Sequence, residues 1–419
     1  MSNYSALVVE IKNIRAHSNA DRLVCTNIAG NNVIVGKDTK EGDIGLFFPL
    51  ESQLGKEFAE VNDLIRRKDE DGKPAGGMFD KNRRVRAQKF RGEKSMGFFA
   101  PISYIYNLEG ISPQDFDLQP GEEIETLGGY EISKKYVVPT KNNPNSSKQG
   151  KKTKKESRII PEQFHFHFDT AQLGRNMDKI APDSLISVTW KFHGTSGIVG
   201  NVLVKRKMNF LQRIGTLFGV PDTEYDYIYA SRRVVKNDDK EYNHFYDMDI
   251  WSEVGENFKG LLHKGEQVYY EIVGYLPTGA EIQKGYDYGC DPGEYKVYVY
   301  RITMTNPDGV VTELPWHQVK HRSIELGVET CPEIFYGRAR DLYPDSGEDY
   351  GEYFYNFLSE NYVFDQRSKF CKNNVPEEGV VVRIEQGDGI ENLKYKSFKF
   401  LEHETKTMDK GEEDIEEQN

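Results

Sequence analysis

The amino-acid sequence predicts an α+β protein whose N-terminal part is a small β-barrel. From Ser5 to about Leu127, β-rich runs such as ALVVEIKNI, LVCTNIAGNNVIVG and DIGLFFPL alternate with Gly, Asn and Asp turns. From about Ile160 onward, extended runs are mixed with helical patterns, of which PWHQVKHRSIELG and FYNFLSENYVFDQRSKF are the clearest. The 419 residues are enough for two or three domains.

Composition places the domain boundaries. The run from Ser133 to Ser157 is rich in Lys, Asn and Ser and poor in apolar residues, which is typical of a flexible linker. Its charge could also hold nucleic acid. The C-terminal HETKTMDKGEEDIEEQN is acidic and nearly devoid of apolar residues, so we expect disorder there. We therefore predict a barrel over 1–130, a basic linker over 131–160, an α+β domain of antiparallel sheets with flanking helices over 161–402, and an acidic tail over 403–419.

Charge, cysteines and hydropathy exclude several classes of protein. The formal net charge of -12 argues against a protein that coats nucleic acid over its whole surface. Four scattered cysteines without a CxxC pair suggest neither a disulfide framework nor a cysteine zinc site. No long apolar run and no N-terminal signal pattern is present, so we expect a soluble intracellular protein that does not enter a membrane.

One cationic run in the N-terminal part is a candidate for phosphate contact. Between Lys81 and Lys94 the chain runs KNRRVRAQKFRGEK. Such a patch suits a nucleic-acid backbone, but a solvated basic edge strand explains it equally well. The candidate nucleic-acid contacts are Arg83, Arg84, Arg86, Lys89 and Arg91.

The heptapeptide KFHGTSG places Lys191 directly after a predicted strand. A lysine amine can attack the α-phosphate of ATP, and Gly194 lets the backbone pass close to a nucleotide. A free lysine with a pKa of about 10.4 is protonated, so such a site has to favour the neutral amine by desolvation or neighbouring positive charge.

The strand period of two in LKYKSFKF places Lys394 and Lys396 on one face. Two ammonium groups aimed at one spot suit an α-phosphate and disfavour the charged form of a third lysine. Alternating Lys and apolar residues are also what a half-exposed strand shows, so the pattern alone does not decide between the two interpretations.

Two carboxylates lie in or beside apolar strands, Glu271 in VYYEIVGY and Glu378 in PEEGVVVRI. An unpartnered carboxylate there is costly, so each should have a partner. In the structural interpretation, each carboxylate forms a buried salt bridge or lies at a strand end in solvent. In the functional interpretation, Glu271 binds a ribose and Glu378 binds a divalent metal.

Two other motifs favour structural interpretations. In QFHFHFDT, His165 and His167 alternate with phenylalanines, which predicts a strand with histidines on one face more than a metal pair. The run KRKMNFLQRIG from Lys205 has helical spacing and is either a substrate-contacting insertion or an amphipathic surface helix.

Six elements occur in the order of the covalent nucleotidyltransferase superfamily of ATP-dependent ligases and capping enzymes, which the sequence resembles. They are KFHGTSG, SRR, YEIVG, YVYRI, EEGVVVR and KYK. The version with His193, where DNA ligases usually have Asp, is similar to RNA ligases. Arg301 also departs from the pattern, since an Asp commonly follows the stacking aromatic residue.

The resemblance implies a role for each matched residue. Lys191 would form lysyl-AMP with ATP, and Glu378 would assist a Mg²⁺ or Mn²⁺ ion. The remaining AMP-binding residues would be Arg232 or Arg233 at the nucleotide or its phosphate, Glu271 at the ribose, Tyr300 stacked on adenine, and Lys394 and Lys396 at the α-phosphate.

Domain order narrows the resemblance. The first 130 residues resemble oligonucleotide-binding (OB) barrels, and no such domain fits after Lys396. This order is similar to the fifth family of RNA ligases, which implies a monomer that joins 3′-hydroxyl and 5′-phosphate ends of RNA, preferably at nicked duplexes with RNA on the 3′-hydroxyl side. The alternatives are a non-catalytic OB-type RNA-binding protein and a GTP-using capping guanylyltransferase.

Overall fold

The computed structural model describes residues 3–68, 71–138, 157–167, 170–208, 219–236, 246, 248–345, 347–364, 366–386 and 389–409. The strands of residues 3–138, which we call the N-terminal region, are β1 Ala6–Glu10, β2 Arg15–Ala16, β3 Leu23–Ile28, β4 Asn31–Gly36, β5 Ile44–Phe48, β6 Ser52–Leu54, β7 Arg67–Lys68, β8 Pro74–Ala75, β9 Gln88–Phe90, β10 Glu93–Ser95, β11 Phe98–Pro101, β12 Glu123–Ile124, β13 Thr126–Leu127, β14 Tyr130–Glu131 and β15 Ser133–Lys135.

The strands of the rest of the chain are longer and carry the candidate site. They are β16 Ala171–Gln172, β17 Leu185–Lys191, β18 Thr195–Lys205, β19 Thr223–Ser231, β20 Glu266–Gly274, β21 Tyr295–Thr305, β22 Val311–Glu313, β23 Glu329–Thr330, β24 Glu333–Arg338, β25 Gly379–Gln386 and β26 Gly389–Lys396. The α-helices are α1 Lys56–Val61, α2 Ile250–Glu256, α3 Trp316–Glu325, α4 Ala339–Leu342, α5 Tyr350–Leu358 and α6 Phe398–Asp409. A π-helical turn, Ser359–Val363, follows α5.

The N-terminal region contains small antiparallel sheets. One has the order β11-β5-β1-β12 and another the order β2-β3-β4. Apolar side chains from its strands and from α1, including Phe48, Leu54 and Phe58, form its main core. The strand orders within 3–68 and 71–138 do not close a barrel. The predicted OB-like barrel therefore stays a prediction, whereas the mixed α and β class with mostly antiparallel sheets is confirmed.

Two sheets build the second half. One has the order β16-β26-β25-β17-β24, and the other has the order β19-β18-β20-β21-β22 with β23 also paired to β21. All pairings in them are antiparallel except β16 with β26 and β21 with β23. Apolar residues from strands of both sheets, among them Val188 and Tyr298, share one core. The two sheets therefore pack together, and the candidate site lies between them.

The predicted acidic tail starts later than expected. Residues 403–409 belong to α6, and SFKF, predicted as strand, contributes its first turn. The reason is that α6 buries Phe398 against the N-terminal core and Phe400 against the core of the second half. Residues 410–419 lie outside the described part of the chain.

The described parts of the predicted linker are also structured. Ser133–Lys135 form β15, which pairs with β6, and Ile159 forms a bridge with Val204. Residues 139–156 lie outside the described ranges. The boundary at 131 is therefore too early, since β15 still belongs to the N-terminal region.

Two local predictions have different outcomes. Residues 164–167 lie outside any strand, so the predicted histidine strand is wrong as far as the segment is described. His165 instead accepts hydrogen bonds at its carbonyl from Gln267 and Tyr269. Of KRKMNFLQRIG, Lys205 ends β18 and residues 209–218 are not described. Within the described ranges, no helix has the length and hydropathy needed to cross a membrane.

Candidate functional site

A cleft lies between the two sheets and holds about 1150 Å³ of empty space, part of it open to solvent. Its floor is formed by one face of three adjacent strands, β17, β25 and β26. Because side chains alternate along a strand, every second residue faces the cleft. The register gives three rows across these strands: Lys191, Gly379 and Lys396; Thr189, Val381 and Lys394; Ser187, Arg383 and Asn392.

The first row brings two lysines to one carboxylate. Lys191 Nζ lies 2.8 Å and Lys396 Nζ lies 3.7 Å from Glu378 Oε1. Gly379 stands between the two lysines in the register, and a Cβ at that position would lie 2.0 Å from the Tyr395 carbonyl oxygen. Because Gly379 has no side chain, β17, β25 and β26 can pack closely enough for both ammonium groups to reach Glu378.

This arrangement differs in one respect from the sequence prediction. We predicted that Lys394 and Lys396 disfavour the charged form of Lys191, but Glu378 lies within ion-pair distance of Lys191 and Lys396. Its negative charge favours the ammonium form of both. The prediction that Lys394 and Lys396 share one face is confirmed, since both line the cleft.

Lys396 is held by a second carboxylate. Its Nζ donates to Glu404 Oε1 of α6 at 2.9 Å. Burial alone would lower the pKa of Lys396, but Glu404, Glu51 and Glu378 raise it well above the ordinary value. Lys396 is therefore a fixed positive charge in the cleft.

Glu271 holds the turn that follows Lys191. Its Oε1 accepts from the Gly194 backbone N–H at 2.9 Å, and its Oε2 accepts from Ser196 Oγ at 3.1 Å. A Cβ on Gly194 would lie 2.2 Å from the Ile272 carbonyl oxygen, so the turn requires glycine for close packing. Each carboxylate oxygen can accept more than one hydrogen bond.

A β-bulge places two neighbouring residues in the cleft. The register between β20 and β21 pairs Tyr269 with Arg301 and Tyr270 with Val299, so Tyr300 is the extra residue. Tyr300 and Arg301 both line the cleft, and the ring of His167 lies 5.8 Å from that of Tyr300. Sequence reasoning treated Arg301 only as a departure from a motif and missed this position.

The two candidate arginines, Arg232 and Arg233, differ in their solvent exposure. Arg232 lines the cleft and is half-buried, whereas Arg233 is exposed and is not among the lining residues. This supports Arg232 as the residue of the pair that reaches a bound nucleotide.

The third row carries a buried hydroxyl without a hydrogen-bond partner among the described residues. It is Ser187 Oγ, on a residue that is 1% exposed. Arg383 in the same row is 3% exposed and ion-paired, since its Nη1 lies 2.8 Å from Glu313 Oε1 and its Nε lies 3.4 Å from Glu385 Oε1. Buried polar groups normally have partners, so Ser187 Oγ favours a polar ligand in the cleft. Sequence reasoning missed both residues.

Aromatic residues fix His193 behind the nucleophile. Its backbone N–H donates to Tyr288 Oη at 2.6 Å, and its ring lies 4.9 Å from the rings of both Tyr286 and Phe400. Asp287, between the two tyrosines, accepts from the backbone N–H groups of Gly289, Lys372 and Asn373. The run GYDYG in the sequence was the available signal for this support.

The cationic run does not form a free basic surface. Arg84 is 2% exposed, and its Nη1 lies 3.8 Å from Asp409 of α6. Arg86 pairs with Asp80 and Asp409, and Lys89 lies 4.0 Å from Glu402. These charges hold α6, which weakens the predicted nucleic-acid role for them.

The other two candidates of that run differ from each other. Arg83 is tied to the fold, since its Nε donates to the Leu54 carbonyl oxygen. Arg91 is exposed in a turn with a positive φ of 46°. Arg91 therefore remains an exposed candidate contact.

A divalent metal fits the cleft only with help from a ligand. Among the described residues, no group of three or more His, Cys, Asp or Glu side chains could hold a metal ion. Glu378 Oε2 is buried and has no hydrogen-bond partner there, so one carboxylate oxygen is available. Mg²⁺ bound through one or two carboxylates, water and substrate phosphates has this requirement.

Comparison with solved structures gives matches over nearly the whole chain, among them three structures of Naegleria gruberi RNA ligase at 16% identity. The ligase with pyrophosphate has a TM-score of 0.61 and covers 96% of this chain and 99% of its own. A lysine-to-methionine mutant with AMP and Mn has a TM-score of 0.60, and a lysine-to-alanine mutant with ATP and Mn has 0.59. Each mutant covers 95% of this chain and 98% of its own.

The chain has the fold of these RNA ligase structures. No protein-family profile matches the sequence, and neither does any curated protein. At 16% identity, the similarity to these RNA ligases is a similarity of fold. The cleft of this chain contains Lys191, Glu271, Tyr300, Lys394 and Lys396.

Proposed function

We propose that the chain is an ATP-dependent RNA ligase that joins 3′-hydroxyl and 5′-phosphate ends through a lysyl-AMP intermediate. The single observation that carries the proposal is the convergence of Lys191 and Lys396, from the first row of the cleft floor, on the carboxylate of Glu378. The neighbours support it, since they are RNA ligases with AMP, ATP or pyrophosphate.

In the first step, Lys191 Nζ attacks the α-phosphorus of ATP, a P–N bond forms, and pyrophosphate leaves with the electron pair of the broken P–O bond. The Lys191 ammonium gives one proton to water before the attack, and its nitrogen gives a second to water or to the leaving pyrophosphate as lysyl-AMP forms. Lys394 and Lys396 stabilise the negative charge that develops on the α-phosphate oxygens. Tyr300 stacks on the adenine, Glu271 accepts from a ribose hydroxyl, and Arg232 contacts the phosphate.

A divalent cation, Mg²⁺ or Mn²⁺, held at Glu378 would supply positive charge at the phosphates. Glu378 is suited to this because its Oε2 is buried without a partner among the described residues. While Glu378 pairs with Lys191, it favours the ammonium form, which is not a nucleophile. Glu378 must therefore leave its ion pair with Lys191 and pair with another cation before Lys191 can react.

In the later steps, AMP passes from Lys191 to an RNA 5′-phosphate, and a 3′-hydroxyl then attacks that phosphate while AMP leaves. We propose nicked duplexes with RNA on the 3′-hydroxyl side as substrates, with the protein acting as a monomer. Recognition of the 2′-hydroxyl would let the site distinguish RNA from DNA.

Labelling with ATP that carries a radioactive α-phosphate tests the first step. We expect a covalent adduct with Mg²⁺ or Mn²⁺ in the wild type and none in Lys191→Ala. Lys320→Ala is the matched control, because Lys320 lies on α3 and pairs with Glu333 outside the cleft. An adduct that persists in Lys191→Ala would refute the proposed nucleophile.

Sealing of nicked duplexes tests the substrate. Two duplexes differ only in ribose or deoxyribose at the 3′-hydroxyl side of the nick. We expect faster sealing with ribose, and equal rates would remove the RNA preference.

The same labelling separates the two alternatives. A capping guanylyltransferase would be labelled by GTP and not by ATP. A non-catalytic RNA-binding protein would form no adduct with either nucleotide. The buried Ser187 Oγ, which has no hydrogen-bond partner among the described residues, favours a cleft that binds a ligand over a purely structural one.

A further inference from the structure

Glu51 of the N-terminal region reaches the cleft that holds the proposed nucleophile. It lines this cleft together with Lys394 and Lys396. Burial alone would raise the pKa of Glu51, but the positive charges of Lys396, Lys394 and Arg84 lower it to about 2. The carboxylate is therefore ionised and interacts with the two lysines proposed to bind the α-phosphate.

The backbone at Glu51 has an unusual conformation. Its φ of 64° lies in the left-handed region, which residues other than glycine rarely adopt. Two backbone hydrogen bonds hold it there, from Glu51 N–H to the Val85 carbonyl at 3.0 Å and from Tyr136 N–H to the Glu51 carbonyl at 2.8 Å. Strained residues that their surroundings fix in this way occur preferentially at functional sites.

Glu404 reaches the same lysine from the opposite end of the chain. Its Oε1 lies 2.9 Å from Lys396 Nζ, and the residue is 7% exposed. The helix that carries it packs Phe398 into the N-terminal core and pairs Asp409 with Arg86 at 3.0 Å. The packing of α6 on the N-terminal region thus places Glu404 against the Lys396 ammonium, in the cleft that Glu51 also lines.

We propose that Glu51 is a positioning residue for the first chemical step, holding Lys396 together with Glu404 so that its Nζ meets the α-phosphate of ATP. The inference rests on the proposed function, because it assumes that Lys396 binds this phosphate. It makes the N-terminal region part of the nucleotide site and not only a module for RNA.

The physical reason lies in the lysine side chain. Its stem has four rotatable carbons and its ammonium has three donors without a fixed fork, so Lys396 needs external restraint to hold one geometry. Glu404 accepts a hydrogen bond from the Lys396 ammonium, and the negative charge of Glu51, in the N-terminal region, attracts the same ammonium. Glu378 and Lys191 face the same group from β25 and β17.

Single-turnover self-adenylylation of Glu51→Gln tests the proposal. We expect a rate lower by on the order of 10-fold, because a small misplacement of a catalytic group costs that much or more. Glu123→Gln is the matched control: Glu123 also links the N-terminal region to the second half, through Arg175 at 3.0 Å, but does not line the cleft. Equal losses in both variants would show that only docking of the region matters and would overturn the proposal.

A double-mutant cycle tests whether Glu51 acts through Lys396. ATP affinity is measured by equilibrium titration in a Lys191→Ala background, where no adduct can form. We expect Glu51→Gln to weaken binding several-fold when Lys396 is present and to have no effect in Lys396→Ala. Additive effects, unchanged affinity or tighter binding would each contradict a positioning role.

The two proposals fail in different ways. If the wild type forms no lysyl adduct, the proposed function fails. If the wild type forms the adduct and Glu51→Gln forms it at the same rate, only the role of Glu51 is refuted.

Discussion

Lys191 and Lys396 face one cleft on either side of Gly379, and both ammonium groups lie within 4 Å of the same Glu378 oxygen, at 2.8 and 3.7 Å. One lysine has to become a neutral nucleophile while the other stays charged. The structure gives Lys396 the additional carboxylates Glu404 and Glu51. This asymmetry supports the proposal that Lys191 is the nucleophile and that Lys396 is the phosphate contact.

Gly379→Ala should destabilise the protein and prevent adenylylation. The residue has a φ of 147°, and a Cβ would lie 2.0 Å from the Tyr395 carbonyl oxygen. Strain and overpacking of this kind cost about 1–3 kcal/mol. Denaturant unfolding measures the loss, and Gly389→Ala is the control, because nothing lies within 4 Å of a Cβ there. Equal stability of the two variants would contradict the packing argument.

Glu378→Gln should lower the adenylylation rate by at least about 100-fold, since charge stabilisation by a bound metal is worth several kcal/mol. Titration of the reaction with Mn²⁺ provides the measurement. We expect the variant to have lost most of its metal dependence, whereas Glu377→Gln, which changes the neighbouring carboxylate, should keep it. Wild-type metal dependence in Glu378→Gln would place the ion elsewhere.

Ser187→Ala should lower kcat/KM for ATP by about 3- to 10-fold, because a hydrogen bond to a ligand contributes about 1 kcal/mol. Ser323→Ala is the matched control, since its Oγ is also buried without a partner among the described residues but lies on α3 outside the cleft. If both variants behave alike, Ser187 Oγ does not contact the ligand.

Asp287→Asn should cost about 1–3 kcal/mol of stability at neutral pH, because the carboxylate accepts three backbone N–H groups. Burial would raise the pKa of Asp287, but these hydrogen bonds lower it below the ordinary value. Its contribution is therefore present above the unfolded-state pKa of about 3.9 and is lost as the pH falls through the lower folded value.

Thermal unfolding between neutral and acidic pH checks this sign. The difference between wild type and Asp287→Asn should shrink as the solution becomes acidic. Asp291→Asn in the same loop removes only an exposed ion pair with Lys372, so it should differ from the wild type by no more than about 1 kcal/mol. A difference that grows on acidification would contradict the assignment.

The residues of the cleft floor were predictable from local patterns. The period of two placed Lys394 and Lys396 on one face, and Lys191 was expected directly at a strand end. These two predictions succeed because strand geometry is set by neighbours in the sequence. Glu271 and Tyr300 were expected in the same site from the family resemblance, and both line the cleft.

The contacts between distant segments could not be predicted in this way. Glu51 and Glu404 are separated from each other by most of the chain, and no periodic pattern links either to Lys396. The cationic run was interpreted by its charge alone, but its partners are acidic residues of α6, such as Asp409. The bulge that turns Arg301 into the cleft also leaves no signal in the sequence.

The most direct measurement of the central claim is the mass of the protein after incubation with ATP and Mn²⁺, followed by peptide mapping at neutral pH. The proposed function predicts a gain of one AMP on the peptide that contains Lys191, with pyrophosphate released in equal amount. AMP on another residue, or no covalent gain in the folded protein, would contradict it.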